Sequence, residues 1–137
     1  MNAAGQHGVA RNGWVDVCDL EELPMNRGVC ALVGRQQVAL FRVSSEIEPF
    51  AVSNYDPFSK AFVLSRGLVG SKGDVLKVAS PVYKHSFCLR TGQSLDEPEI
   101  KLPTYPVRVV GGRVQVRSEP RAPEPASGSP AKGPAAP

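Results

Sequence analysis

The chain has 137 residues, 42% of them hydrophobic and 21% charged, with a formal net charge of +3. That length supplies one domain plus tails, with a core of modest size. Basic residues are scattered among acids, and Arg121 and Lys132 fall in a proline-rich C-terminal stretch, so the electrostatic footprint of a nucleic-acid binder is missing.

No apolar run is long enough to cross a bilayer. Residues 1–12 are small, polar and glycine-bearing. They hold neither the apolar segment nor the cleavage pattern of a secretory signal, and they read as a disordered lead. Cys18, Cys30 and Cys88 are odd in number and stand at no metal-ligand spacing. Free thiols in a reducing cytoplasm are the expectation. Each cysteine lies in an apolar, strand-like stretch, which suits a small buried hydrophobe.

In chain order, residues 14–18 alternate and predict a first strand. Asp19 followed three places on by Glu22 is a capping-box pattern, predicting one helical turn through Leu23 that Pro24 ends. Residues 28–33 and 37–43 are β-rich and flank Gly34-Arg35-Gln36, which predicts a hairpin. A polar turn over 44–48 leads to a short strand at 49–53. Residues 68–74 read as a surface turn, and 75–79 as the next strand. A strand is expected over 85–89, a turn over 90–93, and an irregular crossing over 97–103. Residues 105–110 and 113–117 are the last strands, joined by Gly111-Gly112, a two-residue hairpin signal. Arg113, Gln115 and Arg117 alternate with Val114 and Val116, so one face is wet and one buried. From Ser118 to Pro137 fall six of the thirteen prolines and no aromatic residue. Such a stretch cannot bury enough apolar surface to offset its ordering entropy, so it reads as a disordered tail. Residues 13–117 are therefore the expected domain. Its many short strands and lack of a long amphipathic helix predict an all-β, antiparallel sandwich or small barrel.

Two loops interrupt these strands, over 54–67 and 80–92. Their segments Asn54-Tyr55-Asp56-Pro57-Phe58, Val63-Leu64-Ser65-Arg66-Gly67 and Ser80-Pro81-Val82-Tyr83-Lys84 resemble the cluster-binding loops of Rieske iron–sulfur domains. The likeness extends to the strand–turn at Phe87-Cys88-Leu89-Arg90-Thr91-Gly92 and the strand at Tyr105-Pro106-Val107-Arg108. In a Rieske centre two Cys hold one iron and two His the other. Aligned on Pro57 and Pro81, the ligand positions here are Asp56, Phe58, Ser80 and Tyr83, and none of them is a Cys or a His. The same segments are similar, more narrowly, to the small subunits of assimilatory NAD(P)H-dependent nitrite reductases, in which the ligands are typically absent.

That resemblance implies a Rieske-like β-sandwich with no cofactor of its own. It also implies a large-subunit partner carrying FAD, an iron–sulfur cluster and sirohaem, which reduces nitrite to ammonium. It assigns this chain no catalytic residue. The residues agree: Phe58 has no donor atom, and Asp56, Ser80 and Tyr83 offer only oxygen. His85 and Cys88 lie three apart, so on a common strand they face opposite ways and do not chelate. Ser80 lies in no nucleophile elbow, and Cys88 has no assured His partner.

Two expectations concern what the loops do instead. Phe58 and Tyr83 replace two imidazoles with rings, each able to add about 2–3 kcal/mol when buried, and Tyr83 is placed to hydrogen-bond Asp56. Tyr55, Phe58, Lys60, Phe62, Arg66, Tyr83, Lys84 and His85 are expected to gather at one tip as a partner interface. Plain core packing is the alternative for Phe58 and Phe62. For the whole chain the alternatives are an electron-transfer ferredoxin and a stand-alone binding module.

Overall fold

The structure is a computed structural model, and it describes residues 13–44 and 46–121. The expected lead over 1–12 and residues 122–137 of the expected tail lie outside the described residues.

Eleven strands are formed among the described residues: β1 Trp14–Asp19, β2 Gly28–Val33, β3 Gln36–Phe41, β4 Phe50–Ser53, β5 Tyr55–Asp56, β6 Ala61–Phe62, β7 Leu68–Lys72, β8 Val75–Ala79, β9 Ser86–Cys88, β10 Val107–Val110 and β11 Arg113–Arg117. They make three antiparallel three-stranded sheets, β1-β11-β10, β2-β3-β4 and β7-β8-β9, and a two-stranded ribbon β5-β6. Two 3-10 turns lie wholly within the described residues, Leu20–Glu22 and Leu64–Arg66. At the first, the Asp19 N–H donates to Glu22 Oε1 at 3.0 Å, the expected reciprocal cap.

The β2-β3-β4 sheet is the middle layer, and β3 shows why. Val38 and Leu40 enter one core with Val15, Val33, Val114 and Val116, whereas Ala39 and Phe41 enter a second with Leu64, Val78, Phe87 and Leu89. A strand buried on both faces needs an unbroken apolar run, and Val38-Ala39-Leu40-Phe41 is one, each residue 0% exposed. The anticipated antiparallel sandwich is thus three layers enclosing two cores.

Gly111 and Gly112 both have positive φ, 57° and 79°, which the β10–β11 hairpin requires of its two central residues. Several boundaries differ from expectation, most by one or two residues, and three matter most. Residues 68–72 are strand β7 rather than a turn, and only the Gly73-Asp74 corner turns. Leu68 and Gly70 through Lys72 are all exposed, so this strand has no buried face to write an alternating pattern. The expected strand over 85–89 is only Ser86–Cys88, and the expected strand over 105–110 begins at Val107. Before it, Tyr105 N–H instead bonds the Ala51 carbonyl at 2.9 Å and closes the edge of β4.

Gly67 sets the first loop against the second. A β-carbon there would collide with the Ala79 carbonyl and the Val78 side chain, so glycine lets the exit of one loop lie on the strand that feeds the other.

Candidate functional site

The two loops are built on one five-residue turn. In the first, Lys60 N–H bonds the Asp56 carbonyl at 2.7 Å; in the second, Lys84 N–H bonds the Ser80 carbonyl at 3.0 Å. Each turn opens with a side chain capping the backbone two residues on: Phe58 N–H donates to Asp56 Oδ1 at 2.9 Å, and Val82 N–H to Ser80 Oγ at 3.3 Å. Each closes on a lysine in the left-handed region, φ 59° at Lys60 and 60° at Lys84.

Asp56 joins the loops. Its carboxylate is fully buried and accepts bonds from Ser80 Oγ at 2.5 Å and Ser59 Oγ at 2.8 Å, besides that from Phe58. No basic side chain lies within ion-pair distance of it among the described residues. Burial disfavours its charge, but the hydrogen bonds from Ser80, Ser59 and the Phe58 and Ser59 amides prevail and hold the carboxyl below its ordinary value. Asn54 fixes the base of the first loop. Its Oδ1 accepts the Ser65 N–H at 2.7 Å, and its Nδ2 donates to Gln37 Oε1 at 3.1 Å.

The ring of Phe58 stacks flat on His85, centroids 3.9 Å apart and planes within 5°, and leans on Phe87 at 5.8 Å. His85 is half-buried and its Nδ1 has no hydrogen-bond partner. It precedes β9, so it shares no strand with Cys88. Tyr83 meets His85 only edge-on at 6.3 Å and is 62% exposed. The expected Tyr83–Asp56 hydrogen bond is absent, and Tyr83 is not a buried replacement ring. Ser80 takes the bond, because it opens the turn facing Asp56, while Tyr83 lies beyond the bend. Phe62, considered above as core, is 54% exposed and covered on one side by Tyr55, centroids 5.0 Å apart.

A [2Fe–2S] cluster does not fit these residues. Two oxygens sharing a tetrahedral metal at about 2.1 Å lie about 3.4 Å apart, whereas Asp56 Oδ2 and Ser80 Oγ touch at 2.5 Å. The other two positions hold a hydrocarbon ring and an exposed phenol. No group of three or more His, Cys, Asp or Glu among the described residues is placed to hold a metal ion. The chain nevertheless keeps loops like those of a cluster-binding fold. A sequence model described as "Rieske-like [2Fe-2S] domain" matches residues 13–117. The NADH nitrite reductase small subunit of Escherichia coli K12 is 41% identical over 104 residues, covering 76% of this chain and 96% of the relative. The chain belongs to the nitrite reductase small-subunit family. A solved structure from Mycobacterium tuberculosis, described as an NADH-dependent nitrite reductase small subunit, superposes with a TM-score of 0.73 at 42% identity. That match covers 81% of this chain and 96% of the other. A Klebsiella oxytoca protein named as a nitrite reductase [NAD(P)H] large subunit is 38% identical over 117 residues, 85% of this chain but 12% of the relative. The small-subunit fold thus occurs inside a polypeptide that bears the large subunit's name.

The site residues divide by burial. Asp56 and Ser80 form the buried floor, with Phe58 and His85 stacked half-buried beside it. Lys60, Phe62, Arg66, Tyr83 and Lys84 are exposed, and Tyr55 is half-buried. Ser59 and Asn54 were not singled out from the sequence as site residues. Ser59 had a usable signal, a hydroxyl three places after an Asp that heads a turn. Asn54 had none, since its partners Ser65 and Gln37 lie 11 and 17 residues away.

Proposed function

We propose that this chain is the non-catalytic small subunit of an NAD(P)H-dependent nitrite reductase, which reduces nitrite to ammonium in the cytoplasm. Its partner is the large subunit, which carries the FAD, iron–sulfur cluster and sirohaem. The observation that carries the reading is the Asp56–Ser80 hydrogen bond: the two positions that would bind an iron bind each other, inside loops otherwise kept. The work of the chain is then mechanical, to assemble, stabilise or position the large subunit, through the tip formed by Tyr55, Phe58, Lys60, Phe62, Arg66, Tyr83, Lys84 and His85. Among the described residues no helix is long and apolar enough to cross a membrane, which accords with this reading.

Co-expression with the candidate large subunit, with and without this chain, tests it. The expected result is faster nitrite-dependent NADH oxidation, or more assembled enzyme, when the chain is present. Equal activity and equal large-subunit yield in both would reject it. A ferredoxin reading requires stoichiometric iron and sulfide in the purified chain, which the donor set at Asp56, Phe58, Ser80 and Tyr83 does not support.

A further inference from the structure

The geometry points to an acidic, apolar-floored surface on the large subunit as the partner of the tip, with one small subunit seated on each large subunit. This rests on the reading of the chain as a nitrite reductase small subunit and adds the chemistry and the stoichiometry of the contact.

Three observations carry it. The first is charge. Within residues 54–67 and 80–92 the only acidic residue is Asp56, and it is buried. Lys60, Arg66 and Lys84 are exposed, and none has an ion-pair or hydrogen-bond partner for its side chain among the described residues. Arg90, at the far end of the second loop, pairs with Glu46, and beyond the loops Arg113 binds Asp16 and Asp19 while Arg108 binds Gln115 and the Trp14 ring. Exposed Arg27, Arg35, Lys72 and Lys101 lack partners too among the described residues, so what marks the tip is the want of any exposed acid within its two loops. Tip cations without partners are free to meet carboxylates on another chain.

The second is backbone strain. Lys60 and Lys84 both occupy the left-handed region, which is unfavourable for a side chain other than Gly, Asn or Asp. Glycine would close both turns more cheaply. The same penalty at the same position of two turns is accounted for by what the two side chains do outside the fold.

The third is exposed apolar surface on the same two loops. Phe62 is 54% exposed, Val82 46% and Tyr83 62%. Exposed aromatics suit the centre of an interface, and the cations beside them in sequence suit its polar rim. The stoichiometry follows from the Klebsiella oxytoca large subunit, where the matching stretch is part of one chain.

The test is a titration of the large subunit with the full chain at low and high salt, together with the mass of the complex. Lys60→Glu/Lys84→Glu should weaken binding about tenfold or more, and Lys72→Glu/Lys101→Glu, exposed cations outside the tip, should leave it within about twofold. Wild-type affinity should fall with added salt. Lys60→Gly/Lys84→Gly separates docking from folding: it should raise or keep thermal stability while weakening binding. Unchanged binding in the tip variants with a wild type that still binds would overturn this face and leave the small-subunit reading standing. No binding by the wild type would overturn both. Equal losses from the control pair would show that net charge matters rather than the tip. A complex of other than one to one would reject the stoichiometry.

Discussion

Residues 56–60 and 80–84 close with the same backbone bond and the same left-handed lysine, yet the first turn keeps most of its side chains in while the second sends them out. In the first, Asp56 is buried and Pro57, Phe58 and Ser59 are half-buried; in the second only Ser80 is buried, and Pro81 through Lys84 are exposed. The difference lies in the residue that opens each turn. A carboxylate can accept several bonds at once, so Asp56 gathers its own amides, Ser59 and the opposite loop. A hydroxyl has one proton to give, and Ser80 gives it to Asp56. The first loop is thus the anchor, and the second leans on it through that bond and the His85–Phe58 stack.

Removing the anchor should have the largest effect. Asp56→Ala leaves Ser80 Oγ, Ser59 Oγ and the Phe58 amide without their acceptor, and should destabilise the domain by on the order of 3 kcal/mol. Urea unfolding measures this, and a loss below about 1 kcal/mol would show that the loops stand without the carboxylate. Ser80→Ala removes only the bond between loops and the cap on Val82, and should cost about 1–2 kcal/mol. Its loss should be local, with amide exchange rising across 80–85 and unchanged across 56–60. Equal rises in both would mean that the second loop supports the first.

Acid should act on the same comparison. Hydrogen bonds hold the Asp56 carboxyl below its ordinary 3.8, so the unfolded chain binds more protons at low pH. The contribution of Asp56 is fully present above the ordinary value and is lost as pH falls through the depressed one. Wild-type stability should therefore drop as pH falls below about 4 more steeply than that of Asp56→Asn, which has no proton to take there. Parallel curves for the two proteins would show that the fold does not hold the Asp56 carboxyl below its ordinary value.

How far the sequence carries this picture depends on where each residue's partners lie. The β2–β3 and β10–β11 hairpins were legible because strand pattern and turn residues sit within a dozen positions of one another. The loops were legible through their resemblance to Rieske loops, and the misfit of Asp56, Phe58, Ser80 and Tyr83 to an iron centre then followed from residue type. Strand β7 was hidden because its residues are mostly exposed on both faces, which erases the period of two. The third layer was hidden because nothing in Val38-Ala39-Leu40-Phe41 says which sheet covers each face. The floor was half legible: that Asp56 needed a donor from the second loop followed from chemistry, but the donor depends on the bend. The turn that returns Lys84 to the Ser80 carbonyl places residue 80 inside and residue 83 outside, a fact of backbone path rather than of side-chain reach.

That distinction sets the smallest expected effect and a sharp use of it. Tyr83→Phe removes a hydroxyl that bonds nothing among the described residues, from a ring already 62% exposed, so stability should change by less than about 0.5 kcal/mol. Tyr83→Ala removes the whole exposed ring and should also leave the isolated chain nearly as stable, since its contact with the fold is one edge on His85. Binding to the large subunit should separate the pair, because an aromatic at an interface contributes through its area while the phenol oxygen adds only a polar contact. Tyr83→Ala weakened about tenfold beside a near-normal Tyr83→Phe would assign the ring to docking. A loss of stability in Tyr83→Ala comparable to that in Ser80→Ala would instead return Tyr83 to the floor and erase the contrast between the two loops.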